Sequence, residues 1–99
     1  MKVDFSATAK TDLIDIAVYI AQDNPERAMS FVDELESKCL EIGHTPGIGV
    51  ARPELSVGIR MLTHGRYRIF YSEKETLIRI ERVMHSARDI GSEDFDAAD

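Results

Sequence analysis

GRYRIFYSEKETLIRIERVMHSARDI, residues 65 to 90, contains two runs with the two-residue period of a β-strand, 67–72 and 77–84, joined by the charged turn Glu73-Lys74-Glu75. Tyr67, Ile69 and Tyr71 share one face of the first run, and Arg68 and Phe70 share the other. In the second run Ile78 and Ile80 fall on a face with Arg82. A third run, 59–63, precedes them across His64-Gly65-Arg66. Connections this short join antiparallel neighbours, so the C-terminal half reads as a three-stranded antiparallel meander.

Upstream the period changes. Lys2 to Phe5 alternates as a short first strand, Val3 and Phe5 against Lys2 and Asp4. From Ala7 onward Leu13, Ile16, Ala17, Ile20 and Ala21 recur at the three-and-four spacing of a helix, whose other side shows Lys10, Asp12, Asp15, Gln22 and Asp23. Ser6 is placed to cap it. Asn24-Pro25-Glu26 then starts a second helix, with asparagine as cap, proline at the first helical position and glutamate at the positive end of the dipole. Ala28, Phe31, Val32, Leu35, Cys39 and Ile42 form its apolar stripe.

Residues 43–58 hold four glycines and two prolines and keep no period, so they read as a loop. The order β-α-α-β-β-β predicts an α+β fold, with an N-terminal helical hairpin packed on one face of a small antiparallel sheet. Ninety-nine residues suffice for one core, burying roughly 65% of the unfolded surface. The expected domain is 1–91, followed by a mobile acidic tail, 92–99, with Phe95 as an anchor back onto the body.

The formal net charge of −6 hides an uneven distribution. Residues 1–51 carry four basic and nine acidic side chains, residues 52–88 eight and four, and residues 89–99 none and five. Overall acidity argues against nonspecific polyanion binding, but the basic middle suits a phosphate or an acidic protein surface. The opening lacks the apolar stretch of a signal peptide, and the most apolar segment, 13–21, is too short to span a bilayer. A soluble cytoplasmic protein without membrane contact is therefore expected. Cys39 is the only cysteine, which excludes an intramolecular disulfide, and its place on the apolar stripe marks it as a core thiol. His44, His64 and His85 lie in separate segments without metal-ligand spacing, and no phosphate loop or nucleophile motif occurs, so neither metal nor cofactor is expected.

Arg60, Arg68, Arg82 and Arg88 would converge if the sheet face away from the helices were open. Ribonuclease chemistry needs a base, an acid and a cation at the phosphorane, for which His64 and His85 with these arginines are the available groups. As a cluster on one short segment the arginines read as an interaction surface.

The blocks GIRMLTHGRYRIFY and IRIERVMHSARDI, with TAKTDLIDIAVYIAQDNPERA and TPGIGVARPEL before them, resemble the RelE/ParE superfamily of bacterial type II toxin–antitoxin toxins, and within it the ParE branch. The resemblance covers nearly the whole chain. It implies a helical hairpin on a small antiparallel sheet, and two alternative activities. RelE-like members are ribosome-dependent mRNA endoribonucleases; ParE-like members poison DNA gyrase. Arg68 and Arg88 match two RelE arginines that stabilise the scissile phosphate, whereas the RelE lysine positions hold Ile59 and Met61, and the C-terminal tyrosine position falls near Asp94. Each lost acid or base group typically contributes a factor of about 10²–10⁴, so the resemblance implies a toxin without catalytic residues. It further implies a ParD-like ribbon-helix-helix antitoxin as partner, gyrase as target, and operator DNA bound only through the antitoxin. The contact residues expected for target or antitoxin are Arg60, Arg66, Arg68, Tyr71, Arg82, His85 and Arg88.

Overall fold

A computed structural model describes residues 1–95. It contains β1 (Lys2–Phe5), α1 (Ala7–Ala21), α2 (Pro25–His44), β2 (Val50–Ala51), β3 (Arg60–His64), β4 (Tyr67–Lys74) and β5 (Leu77–His85), with 3-10 turns at Pro46–Ile48 and Ser92–Phe95. The strands form one sheet in the order β1-β5-β4-β3-β2. The meander of β3, β4 and β5 is antiparallel as the short turns require. The sheet as a whole is mixed, because β1 pairs parallel to β5. The glycine-rich segment also contributes β2, whose two residues pair with Met61 and Arg60.

Local chemistry accounts for the helix starts. The Ser6 hydroxyl accepts from Ala9 N at 2.9 Å, and Asn24 Oδ1 accepts from Arg27 N at 3.0 Å, with Pro25 just inside the helix. The hairpin lies on the sheet through Ile16, Phe31, Leu35, Cys39 and Ile42, which meet Tyr67, Ile69, Tyr71, Ile78, Ile80 and Val83 in the main core. Cys39 is fully buried there, and burial pushes its thiol pKa up to about 12, so it packs as an apolar group. Ala17, Ala21 and Val32 sit on the hairpin's outer side, lining a groove between the helices.

The sheet's other face is closed over its middle. Leu55, Ile59, Phe70 and Met84 form a second cluster, with Met61, Ile90 and Phe95 packed against it. The loop after β2 and the C-terminal turn supply this cover. Within the acidic tail Asp94 and Phe95 contact the body; residues 96–99 lie outside the described residues.

Strict alternation fails at one point. Phe70 pairs with Arg82 but Tyr71 pairs with Ile80, so Glu81 is an extra residue in β5. This bulge flips Arg82 away from Ile80 and onto the face of Phe70 and Met84, correcting its expected place beside Ile78 and Ile80.

The two-residue turn between β3 and β4 starts at Gly65, with φ +57°, as a tight hairpin asks. Between β4 and β5, Glu75 holds φ +43° without being glycine. Glu75→Gly is expected to stabilise the fold by about 0.5–1 kcal/mol, the left-handed strain removed less the entropy glycine loses on folding. A rise of a few degrees in Tm checks it.

Candidate functional site

Beyond Ile80 no described strand pairs with the outer margin of β5, because β1 ends at Phe5. Ser6 and Asp12 finish the ladder. Ser6 N donates to Ile80 O at 2.9 Å and Ser6 Oγ to Glu81 O at 2.8 Å. Asp12 Oδ2 then accepts from Val83 N at 3.0 Å and from Arg82 Nε at 2.8 Å, while Asp12 Oδ1 accepts from Arg82 Nη2 at 3.0 Å. Asp12, expected on the wet side of α1, is 9% exposed and ties the helix to the sheet. Its hydrogen bond raises the Arg82 pKa, fixing a permanent cation at this margin.

Arg82 Nη1 also lies 3.6 Å from Asp94 Oδ1, and Arg88 Nη2 donates to that oxygen at 3.1 Å. One carboxylate of the C-terminal turn therefore bridges two of the arginines. Arg68 shares this face by register, opposite Met84, and no described residue makes a hydrogen bond or ion pair with its side chain. Arg60 does not join them. It lies on the helix-facing side with Leu62, and its Nη1 donates to Gly49 O at 2.8 Å. Arg66 sits exposed in the β3–β4 turn.

Tyr71 leaves the contact set on burial: it is 1% exposed, donates to Pro46 O at 2.6 Å and accepts from Gly49 N at 2.9 Å. Its role is to hold the loop. His85 stays near the surface, with Nδ1 accepting from Ala87 N at 3.0 Å, which leaves the neutral ring's proton on Nε2. It stands edge-on to Tyr67, centroids 5.1 Å apart, and lines a shallow concavity with Tyr67 and Tyr19. Burial, then the neighbouring Tyr19, raises the Tyr67 phenol pKa, so it is no base at neutral pH.

The two histidines do not meet over one phosphate. His64 and His85 both pair with Tyr67 from opposite sides, which separates them by two strand spacings, roughly 10 Å. His64 Nε2 is also engaged with Glu34 Oε1 at 2.9 Å. Arg27 holds that same carboxylate and lies over the Phe31 ring. The Arg27 hydrogen bond first, and His64 second, hold the Glu34 pKa down to about 2. A depressed carboxylate gives stability above its ordinary range that is lost as pH falls through the folded value. Carbon-detected NMR should show Glu34 titrating near 2, and Arg27→Ala should move it up towards its ordinary value. Among the described residues no three His, Cys, Asp or Glu side chains gather as metal ligands.

The hairpin's outer side offers a different surface. Ala17, Val18, Ala21, Ala28, Met29 and Val32 line an apolar groove of about 470 Å³, continuing past Leu13 and Ile14. Ile14, Val18 and Met29 are 63%, 58% and 74% exposed. Sequence periodicity assigned Ala17, Ala21 and Val32 to the core stripe; the exposed Ile14, Val18 and Met29 beside them were the signal of a second apolar face. No described helix is long and apolar enough to cross a membrane.

Comparison with curated protein sequences gives no match. Among solved structures, the chain is similar to a chain of the chromosomal ParDE toxin–antitoxin system from P. aeruginosa, at 24% identity and TM-score 0.73, covering 86% of this chain and 95% of that one. It is also similar to a chain of the RelBE2 toxin–antitoxin complex from Mycobacterium tuberculosis, at 26% identity and TM-score 0.64, covering 85% and 95%. The sequence profile described as "ParE toxin of type II toxin-antitoxin system, parDE" matches residues 3–90, from the first strand to the end of the arginine-bearing block. The chain thus belongs to the ParE toxin family of type II toxin–antitoxin systems.

Proposed function

We propose that this protein is the toxin of a ParDE-type module that inhibits DNA gyrase by protein–protein contact. A ParD-like antitoxin with a ribbon-helix-helix N-terminus neutralises it in the bacterial cytoplasm, and operator DNA is bound only through that partner. The observation that carries the reading is an arginine-bearing face without proton-transfer partners. Ile59 is 4% exposed in the second cluster, Met61 packs against it, and Asp94 is spent on Arg82 and Arg88. These are the positions where the resemblance to RelE would require lysines and a tyrosine. Arg66, Arg68, Arg82, His85 and Arg88 remain as candidate contacts, and their use as binding groups requires no catalysis.

A supercoiling assay with purified gyrase tests the target. Micromolar toxin should inhibit supercoiling, and stoichiometric antitoxin should restore it. No inhibition by folded protein would overturn the gyrase reading, and cutting of ribosome-bound message would replace it with RelE-type cleavage.

The hairpin groove suits an amphipathic antitoxin helix, which lays apolar side chains at three-and-four spacing into such a surface. That two similar chains come from ParDE and RelBE toxin–antitoxin structures supports this kind of partner. Val18→Glu and Met29→Glu should each weaken antitoxin binding about tenfold or more, roughly 1.4 kcal/mol, by calorimetry. Both side chains are exposed, so thermal stability should barely move.

A further inference from the structure

We infer that residues 91–95 form a displaceable strap over a docking surface for an acidic–aromatic segment of a partner protein. The strap is a single 3-10 turn, Ser92–Phe95, closed on itself by Asp94 N donating to Gly91 O at 3.1 Å and Gly91 N donating to Asp94 Oδ2 at 3.0 Å. Among the described residues no backbone hydrogen bond joins it to the sheet. Side chains hold it instead. Asp94 Oδ1 bridges Arg82 and Arg88, and the Phe95 ring stands edge-to-face on Phe70 with centroids 5.2 Å apart.

This mode of attachment lets the strap open without breaking any backbone ladder. Strands and helices are secured by hydrogen-bonded ladders, whereas among the described residues the strap is held by the Asp94 carboxylate bridge and the packing of Phe95 on the second cluster, and segments tied by side chains alone open locally. Arg88 is 51% exposed, so its pairing with Asp94 is screened by salt.

The occupant also reports what the surface accepts. A carboxylate fits between two guanidinium groups, and an aromatic ring fits the apolar floor made by Phe70 with Leu55, Ile59 and Met84. The surface does not collapse when the strap leaves. Asp12 continues to hold Arg82 through Nε and Nη2, keeping Nη1 aimed outward, and Phe70 is fixed in the ladder between Met61 and Arg82. Arg68, on the same face and without a described partner, adds a third cation. An acidic side chain followed by an aromatic one satisfies both halves of the surface, whereas a bare phosphate would satisfy only the arginines. A protein segment is therefore the partner class. The inference stands whether or not the partner is gyrase.

A peptide titration tests it in the full-length protein. The probe is the acetylated, amidated pentapeptide Gly-Ser-Glu-Asp-Phe, matching residues 91–95, added up to millimolar concentration. In the wild-type chain the tethered strap competes at an effective concentration of millimolar order, so the peptide should bind at least about tenfold more weakly than to a strap-weakened variant. Asp94→Asn combined with Phe95→Ala should titrate saturably, with NMR shifts at the Arg82 and Arg88 Nε–H groups and the Phe70 amide. The peptide Gly-Ser-Glu-Asn-Ala should produce none. If circular dichroism shows the double variant unfolded, Asp94→Asn alone carries the comparison. Equal affinity for wild type and variant, or a folded variant that ignores the peptide, overturns the inference. Saturable binding of a ten-nucleotide single-stranded RNA in place of the peptide overturns the partner class. Because gyrase is absent from the measurement, failure here leaves the supercoiling result intact.

Discussion

Asp12→Ala is expected to cost about 3–5 kcal/mol, the range for breaking a buried ion pair from one side. The loss is threefold. Arg82, with only 13% of its side chain exposed, keeps among the described residues only the more distant Asp94 as an acidic partner. Val83 N, buried at the margin of β5 beyond the end of β1, loses its acceptor. The carboxylate that ties α1 to β5 is removed as well. A domain of this size has about 5–15 kcal/mol of total stability, so the variant should melt far below the wild type, or be partly unfolded at 37 °C. Urea denaturation monitored by circular dichroism measures it. Asp12→Leu together with Arg82→Met provides the decisive comparison: removing both charges should be markedly less damaging than removing one, because the penalty belongs mostly to the stranded guanidinium. Equal loss in the single and double variants would show that the cost lies in what both lose, the Val83 N acceptor and the pair's own attraction, and not in the stranded guanidinium.

Asp12 also marks where sequence reading ends. The α+β arrangement, both helix caps and the antiparallel meander follow from local signals: Ser6 before an apolar period, Asn24-Pro25 between two such periods, and Gly65 in a two-residue turn. What local signals do not carry is pairing between distant segments. Asp12 looks like one more charge on a polar helix side until β1 stops short and leaves Val83 N needing an acceptor. Arg82 changes face because Glu81 is extra, and a bulge has no signature in a run that alternates on both sides of it. Arg68, Arg82 and Arg88 do reach one face, but Arg60 pairs by register with Tyr71 and turns to Gly49 O. The arginine face is open only in part for the same reason: Leu55, Ile59 and Phe95 come from loop and tail and close the rest.

The same distance-dependence makes the clamp around Gly49 a sharp test. Tyr71→Phe removes one oxygen that serves two loop groups, the Pro46 carbonyl and the buried Gly49 N–H. An orphaned buried group costs about 1–3 kcal/mol, so the expected loss is about 2–4 kcal/mol, the lower end if the loop shifts to reach water. Because β2 has only two paired residues, the loss should appear first as local opening, with faster hydrogen exchange at Gly49 and Val50 than at β4. Gly49→Ala attacks the same clamp by crowding. An added Cβ would stand 2.8 Å from the Tyr71 ring and hydroxyl and 2.9 Å from the Met61 carbonyl. Overpacking of that kind costs about 1–3 kcal/mol. The two substitutions should combine to less than their sum, since a phenylalanine at 71 removes the hydroxyl the new methyl strikes and the loop has already lost what it would be pushed from. The crowding against the ring and the Met61 backbone remains, so the double variant should still be less stable than Tyr71→Phe alone. A double-mutant cycle that came out additive would place the strain at the Tyr71 ring and the Met61 carbonyl and take the Tyr71 hydroxyl out of the crowding.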